Sequence, residues 1–162
     1  MLRVEISLSE QICRVVVGDA GENCLFEAPI STAKNGPGEE KNSECTPRGR
    51  HQIRALIGED LPENTIFVGR RPTGECYTEE MSVAFPERDW ILTRILWLSG
   101  LEVGQNRLGN VDTMQRYIYI NGCPDSFPMG VPLSHGCIRM HNHDLLPFFD
   151  LVEAGTQVMI YE

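Results

Sequence analysis

Residues 117–144 read YIYINGCPDSFPMGVPLSHGCIRMHNHD, and the order of residue types within them decides the fold. Tyr117, Ile118, Tyr119 and Ile120 form the β-branched and aromatic run of a buried strand. A Gly/Pro-rich loop follows and delivers Ser134, His135, Gly136 and Cys137. Beyond it a short helix is expected over about residues 144–153, with Pro147 tolerable only in its first turn. It should end near Gly155, before a last strand, QVMIY.

Working outward, Leu2, Val4, Ile6 and Leu8 alternate with Arg3, Glu5 and Ser7, the period of two that turns one face of a strand to a core. Residues 12–17 form a second β-branched run, the sequence GDAG at 18–21 turns the chain back, and residues 24–30 are placed to pair next. Residues 31–45 are polar and contain Gly and Pro, a surface loop facing solvent or bordering a cleft. A type I turn is expected at residues 46–49, before an extended HQIRALI. Residues 89–99 are read as a helix capped by Asp89, because Ile91, Leu92, Ile95, Leu96 and Leu98 gather on one side and Gly100 suits the C′ position. Trp90 and Trp97 are read as packing residues. The fold class expected is mainly β with one or two helices.

The chain has 162 residues, enough for one domain and few for two. With 41% hydrophobic and 23% charged residues and no repeat, it has the composition of a soluble globular protein. A net charge of −9 without any Lys/Arg cluster excludes an ordinary nucleic-acid surface. No stretch approaches the roughly 20 apolar residues of a spanning helix, since RDWILTRILWLSG is broken by Thr93, Arg94 and Gly100. No membrane partner is expected. The first residues lack the charged start and long apolar run of an export signal. A cytoplasmic location is therefore expected, where the cysteines at 13, 24, 45, 76, 123 and 137 would be mostly free thiols.

In SHGCIRM, Cys137 follows a glycine that permits a tight turn and a histidine within reach of its sulfur or backbone. An imidazolium or oriented N–H groups nearby would raise the thiolate population, and Arg139 adds positive charge two residues on. Against this stands the plain reading of a cysteine beside a histidine, an inert buried thiol. A zinc site built from Cys123, His135, Cys137, His141 and His143 is a rival. His141 and His143 are instead read as flanking Asn142 and Asp144, which would satisfy the first N–H groups of the helix. No metal or cofactor is expected. Arg70, Arg71 and Arg116 are read as solvated side chains, although substrate carboxylates would suit them.

The longer pattern resembles the L,D-transpeptidase (YkuD-like) catalytic domains. Their signature is a strand ending Ile-His-Gly-Thr, a glycine-containing loop, Ser/Thr-His-Gly-Cys, an apolar residue and Arg, then Asn and Asp opening a helix. ECTPRGRHQI is similar to the family's Thr-Pro-x-Gly-x-aromatic turn, RRPTGE to another segment and GTQVMI to its closing strand. The resemblance starts at Met1, so a bare catalytic domain over residues 1–162 with an L,D-transpeptidase-like β-sandwich is expected.

That resemblance implies that Cys137 attacks the carbonyl of the third residue of a peptidoglycan stem peptide, releasing the terminal D-alanine and leaving a thioester. Gly136 with its neighbours His135 and Cys137 would supply the oxyanion hole, Ser134 would lie in the same substrate-binding turn, and Arg139 would hold the loop or a substrate carboxylate. Stem peptides or muropeptides are the partners implied, and a carbapenem adduct on the thiol is expected. Without an export signal the activity looks like a cytoplasmic L,D-carboxypeptidase of murein recycling or precursor trimming; the alternatives are cross-linking by transpeptidation or a catalytically impaired muropeptide-binding domain. Two positions depart from the pattern. Asn121 stands where the family has its histidine base, with Cys123 in place of Thr. An amide donates and accepts hydrogen bonds but does not take up a proton near neutrality.

Overall fold

The computed structural model describes residues 1–20 and 23–162; the turn expected at 18–21 thus lies partly outside the described residues. The strands are Leu2–Ser7 (β1), Ile12–Val17 (β2), Asn23–Pro29 (β3), Gly49–Ile57 (β4), Thr65–Val68 (β5), Arg71–Cys76 (β6), Ile91–Gly100 (β7), Tyr119–Cys123 (β8), Ile138–His141 (β9) and Gln157–Tyr161 (β10). Two α-helices accompany them, Glu79–Ala84 (α1) and Asn142–Leu151 (α2). The mainly β expectation stands. All the strands join one sheet in the order β3-β2-β1-β10-β4-β7-β5-β6, with β8 added on β7 and β9 on β8.

The alternation at the start of the chain works as expected. Val4 and Ile6 of β1 are fully buried, while Arg3 and Glu5 pair at 3.2 Å on the other face. The sheet curls around a core to which β1, β2, β3, β4, β7, β8, β9 and β10 all contribute, closed by Leu145, Phe148 and Phe149 of α2.

The helix expected over residues 89–99 is corrected: the segment is the central strand β7, paired with β4, β5 and β8. Leu96 and Leu98 enter the main core, whereas Ile95 faces a second cluster with Phe67 and Tyr119, so both faces are covered. A strand buried on both faces carries apolar residues almost without interruption, and such a run imitates helical spacing. An irregularity between Leu92 and Ile95, where Thr93 has φ 76°, strengthens the imitation. Trp90 is buried beside Leu92, and the Trp97 indole donates to the Met114 carbonyl at 3.1 Å, so both tryptophans pack as expected.

Two smaller expectations also change. No hydrogen-bonded turn forms at residues 46–49; Thr46 pairs with Pro37 and β4 begins at Gly49. Helix α2 follows β9 directly and starts at Asn142, so Pro147 lies inside it, beyond the first turn. Asn142 does not cap it. Its Oδ1 accepts from the Thr93 hydroxyl at 2.7 Å and its Nδ2 donates to Asn64 Oδ1 at 2.7 Å, pinning the helix start to β7 and the residue before β5. A side chain at Gly122 would collide with the Leu92 carbonyl and this Asn142 amide, which accounts for the glycine there.

Candidate active site

Strands β8 and β9 run parallel with Ile120 opposite Ile138 and Asn121 opposite Arg139. Ile120, Ile138 and Met140 enter the main core. By the two-residue period Tyr119, Asn121, Cys137 and Arg139 therefore share the opposite face. The strand expected from Tyr117 begins at Tyr119 instead, because Tyr117 has φ 56°.

The turn that presents Cys137 is tied from both sides. Gly136 has φ 134°, a conformation that favours glycine. Ser134 Oγ accepts from the Gly136 N–H at 3.2 Å and donates to the Cys137 carbonyl at 2.6 Å. Thr46 Oγ1 donates to the Gly136 carbonyl at 2.9 Å and accepts from the Ala33 N–H at 3.0 Å. The segment read as a polar loop at 31–45 proves to border this turn: Ser31 pairs with Arg139 and Ala33 with Ser134, and Ser31, Thr32 and Ala33 are buried.

The sulfur of Cys137 lies between two backbone groups. It donates to the Tyr117 carbonyl at 3.4 Å and accepts from the Tyr119 N–H at 3.4 Å. Burial pushes this thiol up to about 12; the Tyr119 N–H, Arg139 and Arg116 oppose that rise, and Asp89 adds to it. That shift favours the neutral thiol at rest, where the sequence suggested a ready thiolate. Loss of its proton requires a base.

His135 is exposed, and its Nδ1 lies 3.8 Å from Asp89 Oδ2. Among the described residues no hydrogen bond joins this imidazole to the sulfur. Asp89, which the sequence placed at a helix cap, instead faces Arg139 at 3.0 Å through its other oxygen. Arg139 is buried, donates to the Leu133 carbonyl at 3.5 Å and lies over the Phe127 ring, so its geometry is that of a loop clamp. Asn121 is 2% exposed; its Nδ2 donates to the Gly122 carbonyl at 2.8 Å, and its Oδ1 has no partner among the described residues. Among the described residues no hydrogen bond joins it to Cys137. Cys123 is a core thiol pushed up to about 12 by burial.

A cleft of about 280 Å³ is lined by Lys41, Arg116, Tyr117, Ile118 and His135, with Cys137 itself outside that lining. A wider cleft, of about 600 Å³ near Met1 and the end of α2, is lined by no cysteine or histidine. His141 accepts no role at the thiol; its Nε2 meets the Phe127 carbonyl at 2.7 Å, and His143 lies 3.4 Å from Asp144. Among the described residues no three His, Cys, Asp or Glu groups converge as a metal site.

Sequence reasoning missed Asp89 and the aromatic residues Trp97, Tyr117 and Tyr119 around the sulfur, and it set Arg70 aside as solvated, where the structure stacks it on Trp97 and Tyr117. The two tyrosines adjoin the Cys137 partner strand, a signal that was present. Asp89 had none, because its partners lie about fifty residues away along the chain.

The sequence pattern that defines the L,D-transpeptidase catalytic domain (YkuD) matches residues 2–160. No curated protein matches the chain by sequence. Among solved structures it is similar to the L,D-transpeptidase from Mycobacterium smegmatis, with TM-score 0.55 and 14% identity over 99% of this chain and 58% of that one. It is also similar to L,D-transpeptidase 3 from Mycobacterium tuberculosis in complex with a faropenem-derived adduct, with TM-score 0.55 and 16% identity over 99% and 60% of the two chains. A third is the Enterococcus faecium L,D-transpeptidase, with TM-score 0.58 and 15% identity over 99% and 49%. The chain spans about half to three-fifths of the length of these proteins. The match over residues 2–160, carried by an SHGCIR turn that holds a thiol at the end of a parallel strand pair, places this chain in the L,D-transpeptidase catalytic-domain family.

Proposed function

We propose that the protein is a cysteine-dependent L,D-peptidase that removes the terminal D-alanine from peptidoglycan tetrapeptides. The observation that carries this reading is the Cys137 sulfur held between the Tyr117 carbonyl and the Tyr119 N–H, with Tyr117 and the neighbouring His135 lining a cleft. In this reading His135 takes the thiol proton and the sulfur attacks the carbonyl of the third residue. The amide C–N bond breaks, the proton passes to the leaving amine, and water hydrolyses the thioester to regenerate the thiol. The N–H groups of His135 and Cys137 are the oxyanion donors proposed, since that of Gly136 is engaged by Ser134. Asp89, 3.8 Å from His135 Nδ1, would orient the imidazole by charge and leave Nε2 to work.

Hydrolysis and cross-linking share this thioester and differ in whether water or an amine resolves it. We favour hydrolysis, with recycled or precursor muropeptides of the cytoplasm as substrates. Six free thiols fit that compartment, and no helix among the described residues is long and apolar enough to cross a membrane. A second reading, a muropeptide-binding domain without turnover, is favoured by one specific observation: the position where the resemblance expects a base holds a buried Asn121, which makes no hydrogen bond to Cys137 among the described residues.

Incubation with tetrapeptide, followed by mass spectrometry, tests the proposal. Tripeptide and free D-alanine should appear, and Cys137→Ala should abolish both. The β-lactam adduct of the M. tuberculosis relative suggests the companion measurement. A carbapenem should add its mass to the parent but not to Cys137→Ala; peptide binding with neither adduct nor product selects the second reading.

A further inference from the structure

Three guanidinium groups surround the Cys137 site, and their hydrogen bonds distinguish them. Arg139 is buried and donates to Asp89 and the Leu133 carbonyl. Arg116 donates to the carbonyls of Gly38, Glu39 and Cys45 and so holds the loop beside the nucleophile. Arg70 makes a single hydrogen bond among the described residues, to the Tyr119 hydroxyl at 3.1 Å.

Arg70 sits with Gly69 in the two-residue turn between β5 and β6, where Val68 pairs with Arg71. Its guanidinium carbon lies 4.8 Å from the centre of the Trp97 ring and 4.6 Å from that of Tyr117. Rings on which a planar guanidinium rests fix its orientation while its edge donors stay open. Tyr119 links the two sites: its backbone N–H meets the Cys137 sulfur and its hydroxyl meets Arg70. The guanidinium therefore stands one tyrosine side chain away from the nucleophile. A peptide whose scissile carbonyl lies at the sulfur brings its flanking groups within that distance.

We infer that Arg70, set on the Trp97–Tyr117–Tyr119 shelf, binds a carboxylate flanking the scissile amide and so selects acidic peptides over neutral ones. This rests on the peptidase reading of Cys137. A tetrapeptide offers two such groups, the α-carboxylate of the leaving residue and the side-chain carboxylate of a diamino acid at the third position; a fork of N–H donors suits either. It also gives an acidic chain, of net charge −9, a local attraction for an acidic substrate.

Binding is measured by calorimetry on Cys137→Ala and on Cys137→Ala/Arg70→Met, with three tetrapeptides: the free acid, the C-terminal amide and the third-residue side-chain amide. Methionine keeps the length and packing on the rings, and Arg70 already adopts φ 65°, so the replacement adds no new backbone demand. The free acid should bind the Arg70→Met protein about 10- to 100-fold more weakly. Whichever amide removes the recognised carboxylate should bind both proteins alike, which identifies the group. Arg70→Lys should fall between. Equal affinity of the free acid for both proteins, loss of the three peptides in equal proportion, or no binding of any peptide would overturn the inference. Failure of the peptidase reading looks different: the free acid binds in an Arg70-dependent way, yet the parent with Cys137 intact releases no alanine.

Discussion

The hydroxyl of Thr46 donates to the carbonyl of Gly136 at 2.9 Å, joining two motifs 90 residues apart in the chain. The same oxygen accepts from Ala33, so one buried side chain sets the distance between the 31–46 segment and the turn that presents the nucleophile. Thr46→Val keeps the shape and leaves the Ala33 N–H and the Gly136 carbonyl without that partner. The loss should be about 1–3 kcal/mol of stability, read by urea denaturation, together with slower carbapenem acylation of Cys137. Unchanged acylation would detach Thr46 from the placement of the turn.

Asp89 is the shared partner of His135 and Arg139. Asp89→Asn removes the charge opposite a buried guanidinium, and because Asp89 is itself partly exposed the expected cost is only about 1–2 kcal/mol. Turnover should fall further than stability, since the imidazole loses its orientation. Tetrapeptide hydrolysis and thermal melting on the same samples separate the two effects, and a fall in melting temperature with normal turnover would leave Asp89 a purely structural residue.

Desolvation raises the Cys137 thiol above its ordinary value, so its thiolate is scarce at pH 7. With His135→Gln that rare thiolate is the only nucleophile, so acylation should climb about tenfold for each pH unit through pH 9. The parent, assisted by its imidazole, should change less over the same interval. Stopped-flow acylation across pH makes the comparison; parallel slopes would remove His135 as the base.

Asn121→His restores an imidazole at the family's base position, in place of an amide whose Oδ1 has no partner among the described residues. D-alanine release should rise by about 10²- to 10⁴-fold, the range general-base catalysis supplies. Absence of any gain would show that the amide is not what limits this site.

His51 is fully buried, with one ring nitrogen facing the Gly49 carbonyl at 3.0 Å and the other the Thr113 hydroxyl at 2.9 Å. Burial lowers its pKa from 6.5 to about 4. The unfolded chain therefore binds a proton that the folded one refuses between those values, so stability falls as pH drops from 6.5 to 4 and levels off below. The full effect is about 3 kcal/mol. Denaturant titrations of the parent and His51→Gln at pH 7 and pH 4 should show the parent losing more, and equal losses would assign the acid sensitivity elsewhere.

The sequence alone determined the half-buried strand at Leu2–Ser7, the closing strand Gln157–Tyr161, the mainly β class and the cysteine to watch, because alternation and a tight glycine turn are local properties of the chain. Residues 89–99 could not be read this way. Whether consecutive apolar residues wind into a helix or lie flat between two cores depends on which strands come to flank them, and β4 and β8 are separated from β7 in sequence. The SHGC motif was legible as a candidate site, but its electrostatics were not. Only the tertiary structure set Asp89 against His135, half-buried Cys137 where desolvation raises its thiol, and brought Arg70 across to the rings beside it. Burial and long-range pairing are sums over the whole fold, and no window of sequence contains them.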